Sequence, residues 1–197
     1  MGMESAELAM GGKAGAKAGA KAPRDWGRRL RQGVRSLLAP VLPLDVSPAR
    51  ALLNDAQFAL FCRMRRAEQQ HALRVHAAVQ EQAEETPLEL ARAALLHDIG
   101  KIRCPLSVLG KTWAVLLEDW RPRAPNQWPS PERVAFWQRP QYVMSQHPAW
   151  GAELAEEAGL DERTCWLIAE HQTPLPRWHP HPDGTLLQRL QAADRQQ

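Results

Sequence analysis

From Ser47 onward, apolar positions recur every three or four residues, and the chain reads as a succession of amphipathic helices. Ser47-Pro48 predicts an N-cap followed by proline in the first turn. The stretch it opens, to about Gln82, is either one long helix or two with a break near Asn54-Asp55. Within it Phe58, Phe61 and Cys62 form one stripe, and Ala72, Val75 and Val79 form another. Thr86-Pro87-Leu88-Glu89 predicts a capping box. The helix it opens, LELARAALLH, runs into His97-Asp98 and should stop by Gly100. The segment HPAWGAELAEEAG, 147–159, predicts a helix with Pro148 in its first turn and Gly159 as its stop. Asp161 predicts the cap of a helix over 161–172 that buries Trp166, Ile168 and Ala169 or their neighbours. Residues 184–195 predict a last amphipathic helix. No Val/Ile/Thr alternation of strand length occurs, so the expected fold is all-α.

One stretch resists the helical pattern. Residues 104–143 hold Pro122, Pro125, Pro129, Pro131 and Pro140 among Trp120, Trp128 and Trp137. This predicts a long loop interrupted by a short helix capped at Ser130-Pro131. Its large rings either pin the loop to the domain or form an aromatic wall or lid beside the His97-Asp98 pair.

A chain of 197 residues with 44% apolar content accommodates one domain with a real core. Residues 1–24, with the run GGKAGAKAGAKAP, have nothing to bury and are expected to be disordered. Residues 25–46 then form a basic linker or leading segment, and 47–197 the helical domain. The net charge of +3 is unevenly spread: residues 1–36 carry eight basic and three acidic side chains, a net of +5, leaving −2 for the rest. Such a tail suits contact with nucleic acid or an anionic surface, or a solubilising role. Cys62, Cys104 and Cys165 are too widely spaced for a metal-type pair and predict three core-like thiols in a reducing compartment. With no apolar run of membrane-spanning length and no signal-peptide pattern, a cytoplasmic location is expected.

The polar residues that break the helical pattern are more informative. His71 stands inside a predicted helix, His97-Asp98 ends the next, His147 begins another, His171 ends the one after, and Asp194 lies near the end of the last. Such residues, carried at the ends and middles of consecutive helices, can converge at one opening of a bundle and hold a metal.

The ordered motifs HALRV (71–75), LLHDIGK (95–101), HPAWG (147–151), IAEHQ (168–172) and LQAADR (190–195) resemble those of the HD phosphohydrolase superfamily, nearest its HDIG and HD-GYP-like branches. The resemblance spans about residues 50–195. It implies a single helical HD-type domain that holds divalent metal and hydrolyses a phosphoester or phosphoanhydride bond, often of a nucleotide. It also implies His71, His97, Asp98 and Asp194 as ligands of one ion, with His147 and His171 adding a second. Asp98 is the candidate bridge and Lys101 faces the substrate phosphate. Imidazoles and carboxylates together suit Fe, Mn, Co, Ni or Zn, whereas Mg prefers more oxygen ligands. The expected activity is that of a metal-dependent phosphohydrolase acting through metal-activated water on a small phosphorylated compound, a nucleotide first among them. The alternative is a catalytically degenerate HD domain that serves as a ligand-binding or regulatory module.

Three departures from the HD-GYP pattern narrow this expectation. Gln172 stands where those proteins carry a second histidine, no glycine-tyrosine-proline motif follows, and Ala67 replaces the glutamate of three-metal members. They argue against cyclic-dinucleotide phosphodiesterase activity and against a third ion. Outside the motifs, Arg74 lies one turn from His71 and is a candidate phosphate contact, as is Arg195 beside Asp194. His76 falls on a different face from His71 and reads as a surface or supporting histidine. His179 and His181 lie in a proline-interrupted loop, with substrate contact as their candidate role.

Overall fold

A computed structural model describes residues 43–105, 128, 133–174, 177 and 181–197. The tail and linker expected over 1–46 lie outside the described residues except for 43–46. So do the short helix expected at Ser130-Pro131, Trp120 and His179. Among the described residues the fold is all-α, as expected. The helices are α1 (Ser47–Leu52), α2 (Asp55–Arg63), α3 (Arg66–Glu81), α4 (Leu88–Leu96), α5 (Arg139–Glu157), α6 (Glu162–Glu170) and α7 (Gly184–Gln196), with short 3-10 segments at Ile99–Arg103 and Phe136–Gln138. None of them is long and apolar enough to cross a membrane.

The stretch from Ser47 is three helices, with two breaks where at most one was expected. Asn54 makes the first: its side chain accepts from Gln57 N at 2.9 Å while Gln57 Oε1 accepts from Asn54 N at 3.2 Å, a reciprocal cap. The second, at Met64-Arg65, is extended backbone on both residues, and Glu68 accepts from Arg65 N. Two start signals are displaced. Ser47 is the first helical residue, its N–H taken by Asp45 Oδ1 at 2.9 Å, and Val46 stands at the N-cap. Thr86 does not cap α4. Pro87 is extended and its carbonyl accepts from Ala91 N, so the helix begins one residue later, and Thr86 Oγ1 instead accepts from Arg189.

Helix α5 starts at Arg139, well before the expected 147, with Pro140 in its first turn. Pro148 therefore lies inside the helix, where it leaves the Met144 carbonyl without its usual donor. The stop at Gly159 is as expected: with φ +73, its N–H bonds Glu156 O and Leu160 N bonds Ala155 O. Asp161 caps α6 by accepting from Thr164 N at 2.8 Å. That helix buries Leu167 and Ile168, while Trp166 and Ala169 are half-buried.

Helix α4 is central. Leu90, Ala91, Ala93, Ala94, Leu95 and Leu96 are all buried, which a helix tolerates only when it is covered nearly all round. It contacts α1, α3, α6 and α7. Ala49, Leu60 and Phe61 of the first two helices, with Leu53 at the C-cap of α1, join the same core as Leu167, Ile168, Leu187 and Leu190. Of the three expected core-like thiols, Cys62 is exposed and Cys104 half-buried, while Cys165 is half-buried and packs against the core. Of the tryptophans in the proline-rich stretch, Trp128 meets Tyr142 edge-to-face at 5.4 Å, but Trp137 is exposed and pins nothing.

Candidate metal centre

Because α4 is enclosed, whatever follows its last turn is delivered into the interior. His97 is its C-cap and Asp98 the turn beyond, and they are only 1% and 4% exposed. A helix end leaves its last carbonyls without partners. His97 Nδ1 donates to one of them, Ala94 O, at 3.0 Å. His171, the C-cap of α6, does the same to Ile168 O at 2.7 Å. His147, mid-helix and fully buried, donates from Nδ1 to Val143 O at 3.0 Å. A carbonyl oxygen only accepts, so each of these rings carries a proton on Nδ1 and turns its Nε2 inward.

These inward nitrogens meet one another and Asp98. His147 Nε2 and His171 Nε2 are 3.2 Å apart, and Asp98 Oδ1 lies 3.3 Å from the first and 3.9 Å from the second. On its other side Asp98 Oδ2 is 3.6 Å from His97 Nε2, an atom that is buried with no hydrogen-bond partner. His71 Nε2 donates to Asp194 Oδ1 at 2.9 Å, and that oxygen is 3.8 Å from His97 Nε2. The rings of His71, His97, His171 and His147 follow in a row, with centroids 5.3, 5.2 and 5.1 Å apart.

The donor set fits divalent metal. Lone pairs converging without a proton between them repel unless a cation sits among them. Ligand atoms bound at about 2.1 Å lie about 3.0 Å apart across a right angle and about 3.4 Å apart across a tetrahedral one. The closest pairs here fall near those values, and the ligand atoms form two groups, His71/His97/Asp98 and Asp98/His147/His171, that share Asp98. The Nδ1–H bonds to carbonyls are the outer-shell contacts that fix the rings of metal-binding histidines.

Charge is tuned to match. Burial holds the imidazole of His97 below its usual range, an effect only partly offset by Asp98. Burial likewise pushes His171 down to about 3, reinforced by His97. For Asp98 burial acts upward but is outweighed by Lys101, His97 and His147, which hold the carboxyl well below its usual range. Asp194 is similar: burial raises it, yet the hydrogen bond from His71 and the field of His97 bring it down to about 2. His97 and His171 are thus held as neutral imidazoles and Asp98 and Asp194 as ionised carboxylates, the forms that bind metal.

Lys101 reaches the centre through the 3-10 segment. With three residues per turn, side chains at i and i+3 eclipse, and Lys101 Nζ donates to Asp98 Oδ2 at 2.5 Å. Gly100 lets this segment lie against α5: a Cβ there would sit 2.0 Å from His147 O and 2.6 Å from Gly151 N. That close approach brings Asp98 to His147.

All six expected metal-ligand residues therefore lie in one contiguous cluster, with Asp194 joined through His71 and with His147 arriving from the middle of a helix and not its start. Arg74 is half-buried one turn along α3 from His71. His76 is buried at 3%, not on the surface, and burial lowers its pKa. His181 is exposed and stacks on Trp166, with centroids 3.8 Å apart. Sequence reasoning missed the feature next to the centre: a cleft of about 600 Å³ lined by His171, Gln172, Thr173, Pro174, Gln191, Asp194 and Arg195. Gln191 is a buried polar residue three before Asp194, hence on its face of α7, and that spacing was the available signal.

No curated protein and no solved structure matches the chain. The family model of the HD domain matches residues 69–197, which contain every residue of the cluster and more than half of the sequence. The chain belongs to the HD domain family.

Proposed function

We propose that the protein is a metal-dependent phosphohydrolase of the HDIG and HD-GYP-like kind, without the glycine-tyrosine-proline motif, acting on a small phosphorylated compound and most naturally a nucleotide. The observation that carries this reading is the convergence of His97, His147 and His171, each with Nδ1 committed to a carbonyl, on the two oxygens of Asp98. Bound there, divalent ions supply a water of lowered pKa and neutralise the phosphoryl oxygens. His71, His97, Asp98 and Asp194 would hold one ion and His147, His171 and Asp98 a second, with Asp98 as bridge. Fe, Mn, Co, Ni and Zn all suit this mixture of ligands better than Mg.

The protein's own residues then have distinct tasks. Asp98 keeps one oxygen toward each half of the centre, fixed by its buried position between His97 and His147. Lys101 delivers an ammonium beside the same carboxylate, in reach of a phosphoryl group seated there, and stabilises the charge that grows on it. Arg74 is a further candidate for phosphate. Retention of the whole donor set favours this enzyme over a degenerate binding module, since a module has no use for so many buried ligand atoms. The test is metal analysis of the purified protein followed by a hydrolysis screen of nucleotides, bis-nucleoside polyphosphates and cyclic dinucleotides. Phosphate release from at least one nucleotide, abolished by chelation, is expected. Tight metal binding without any turnover would establish the module instead.

A further inference from the structure

The cleft between the end of α6 and the end of α7 opens from the metal centre itself, since His171 and Asp194 form part of its wall. A molecule whose phosphoryl group lies at the centre must place its remainder there. The wall is preformed. Gln191 Nε2 donates to Thr173 O at 2.8 Å and to Glu170 O at 3.4 Å, and Thr173 N donates to Glu170 O, so the turn carrying Gln172 and Thr173 is tied to α7. Both hydrogen bonds use the amide nitrogen of Gln191, itself a lining residue of the cleft.

The chemistry of the lining is mostly neutral and hydrogen-bonding. Gln172 and Gln191 offer amides, Thr173 a hydroxyl and Pro174 an apolar ring face. Among the described lining residues Arg195 alone is permanently cationic, and Asp194 supplies a carboxylate. A polyphosphate chain laid along this wall would bring several negative charges to one cation and one anion, a poor match. A sugar with a heterocyclic base needs donors, acceptors and a flat apolar surface, and the volume suits a group of that size.

We infer that this cleft is the subsite for the nucleoside part of a nucleoside monophosphate, with Gln172 and Thr173 as its specificity-determining contacts and Gln191 as the residue that positions them. The inference rests on the phosphohydrolase reading and narrows its substrate class to monophosphates bound phosphoryl-first.

Binding of non-hydrolysable ligands tests it apart from turnover. Manganese-loaded full-length protein is titrated calorimetrically with the methylene-phosphonate analogues of adenosine, guanosine, cytidine and uridine monophosphates, and with methylphosphonate as the phosphoryl-only probe. At least one nucleoside analogue should bind about 10-fold or more tightly than methylphosphonate. Gln172→Ala, at an exposed position, should remove most of that preference while metal content and methylphosphonate affinity stay unchanged. Equal affinity for all the ligands, or a preference that survives both Gln172→Ala and Thr173→Ala, overturns the cleft assignment but leaves the phosphohydrolase reading in place. Failure of methylphosphonate and the analogues alike to bind contradicts the phosphohydrolase reading, and the cleft assignment falls with it.

Discussion

His147 and His171 point their Nε2 atoms at each other across 3.2 Å, although each ring has already given its Nδ1 proton to a backbone carbonyl. Two ring nitrogens held this close in a buried site, with Asp98 Oδ1 3.3 Å from the first, suit a cation shared among them. The placement of both is covalently remote: one comes from the middle of α5 and the other from the end of α6. The predictions that follow depend on this arrangement.

Asp98→Asn removes the negative charge shared by the two halves of the centre. Phosphohydrolase activity should fall by at least about 1000-fold, with metal content reduced in parallel. Circular dichroism should show the helices intact. Near-normal turnover by a metal-replete variant would exclude Asp98 as the bridge.

Lys101→Ala separates charge stabilisation from metal binding. Because the ammonium sits on Asp98 Oδ2, its loss frees a ligand atom, so metal content should hold or rise. The ratio kcat/KM should drop about 10- to 1000-fold, equivalent to about 1.4–4 kcal/mol. Metal content, melting temperature and kinetics on one preparation decide the matter. Loss of metal together with activity would contradict a substrate-facing role.

Gly100→Ala probes the contact that positions Asp98 against His147. A methyl group 2.0 Å from a backbone carbonyl cannot be accommodated by a side-chain rotation, so the 3-10 segment and α5 must part. A loss of about 3 kcal/mol in chemical denaturation is expected, with weakened metal binding. By contrast Gly159, which has open space around it but a φ of +73, should cost only about 1 kcal/mol as alanine. Equal effects of the two changes would show that the close approach is not what the glycine is for.

Acid should destabilise the metal-free protein. An unfolded histidine titrates near pH 6.5, whereas burial keeps His171 neutral down to about 3 and depresses His97 as well. Above pH ~6.5 neither state binds these protons. As the pH falls below it, the unfolded chain takes up protons that the folded His171 does not, so stability declines by up to about 1.4 kcal/mol per pH unit for His171, and His97 acts in the same direction. Urea unfolding of chelator-treated protein between about pH 7 and about pH 5 measures the slope. A flat profile would mean that these rings are not held neutral in the fold.

Much of this architecture was legible in the residue pattern, and the failures have physical causes. The all-α fold, the break offered near Asn54-Asp55, the cap at Asp161, the stop at Gly159 and the final helix follow from local chemistry that the fold does not override. Pro148 misled because proline favours a first turn, yet here a helix already under way continues through it. Thr86 was a sound cap that Pro87, extended at the N-cap itself, displaced. Met64-Arg65 carries neither glycine nor proline, so nothing in its composition announced the break. The cluster was legible through histidines placed at helix ends, and the resemblance then supplied its ligand roles. His147 was read as beginning a helix, whereas it is buried in the middle of one that starts eight residues earlier. The cleft was invisible because its walls, Gln172 to Pro174 and Gln191 to Arg195, meet only through the packing of α6 on α7.

The most direct measurement is the metal stoichiometry of chelator-stripped protein titrated with manganese or cobalt, compared with His171→Ala under the same conditions. Two tightly bound equivalents for the unaltered protein and one for the variant, with the remaining ion still held by His71, His97, Asp98 and Asp194, are the predicted result. No tight binding by the unaltered protein, or the same stoichiometry in both, would contradict a metal centre built on these histidines.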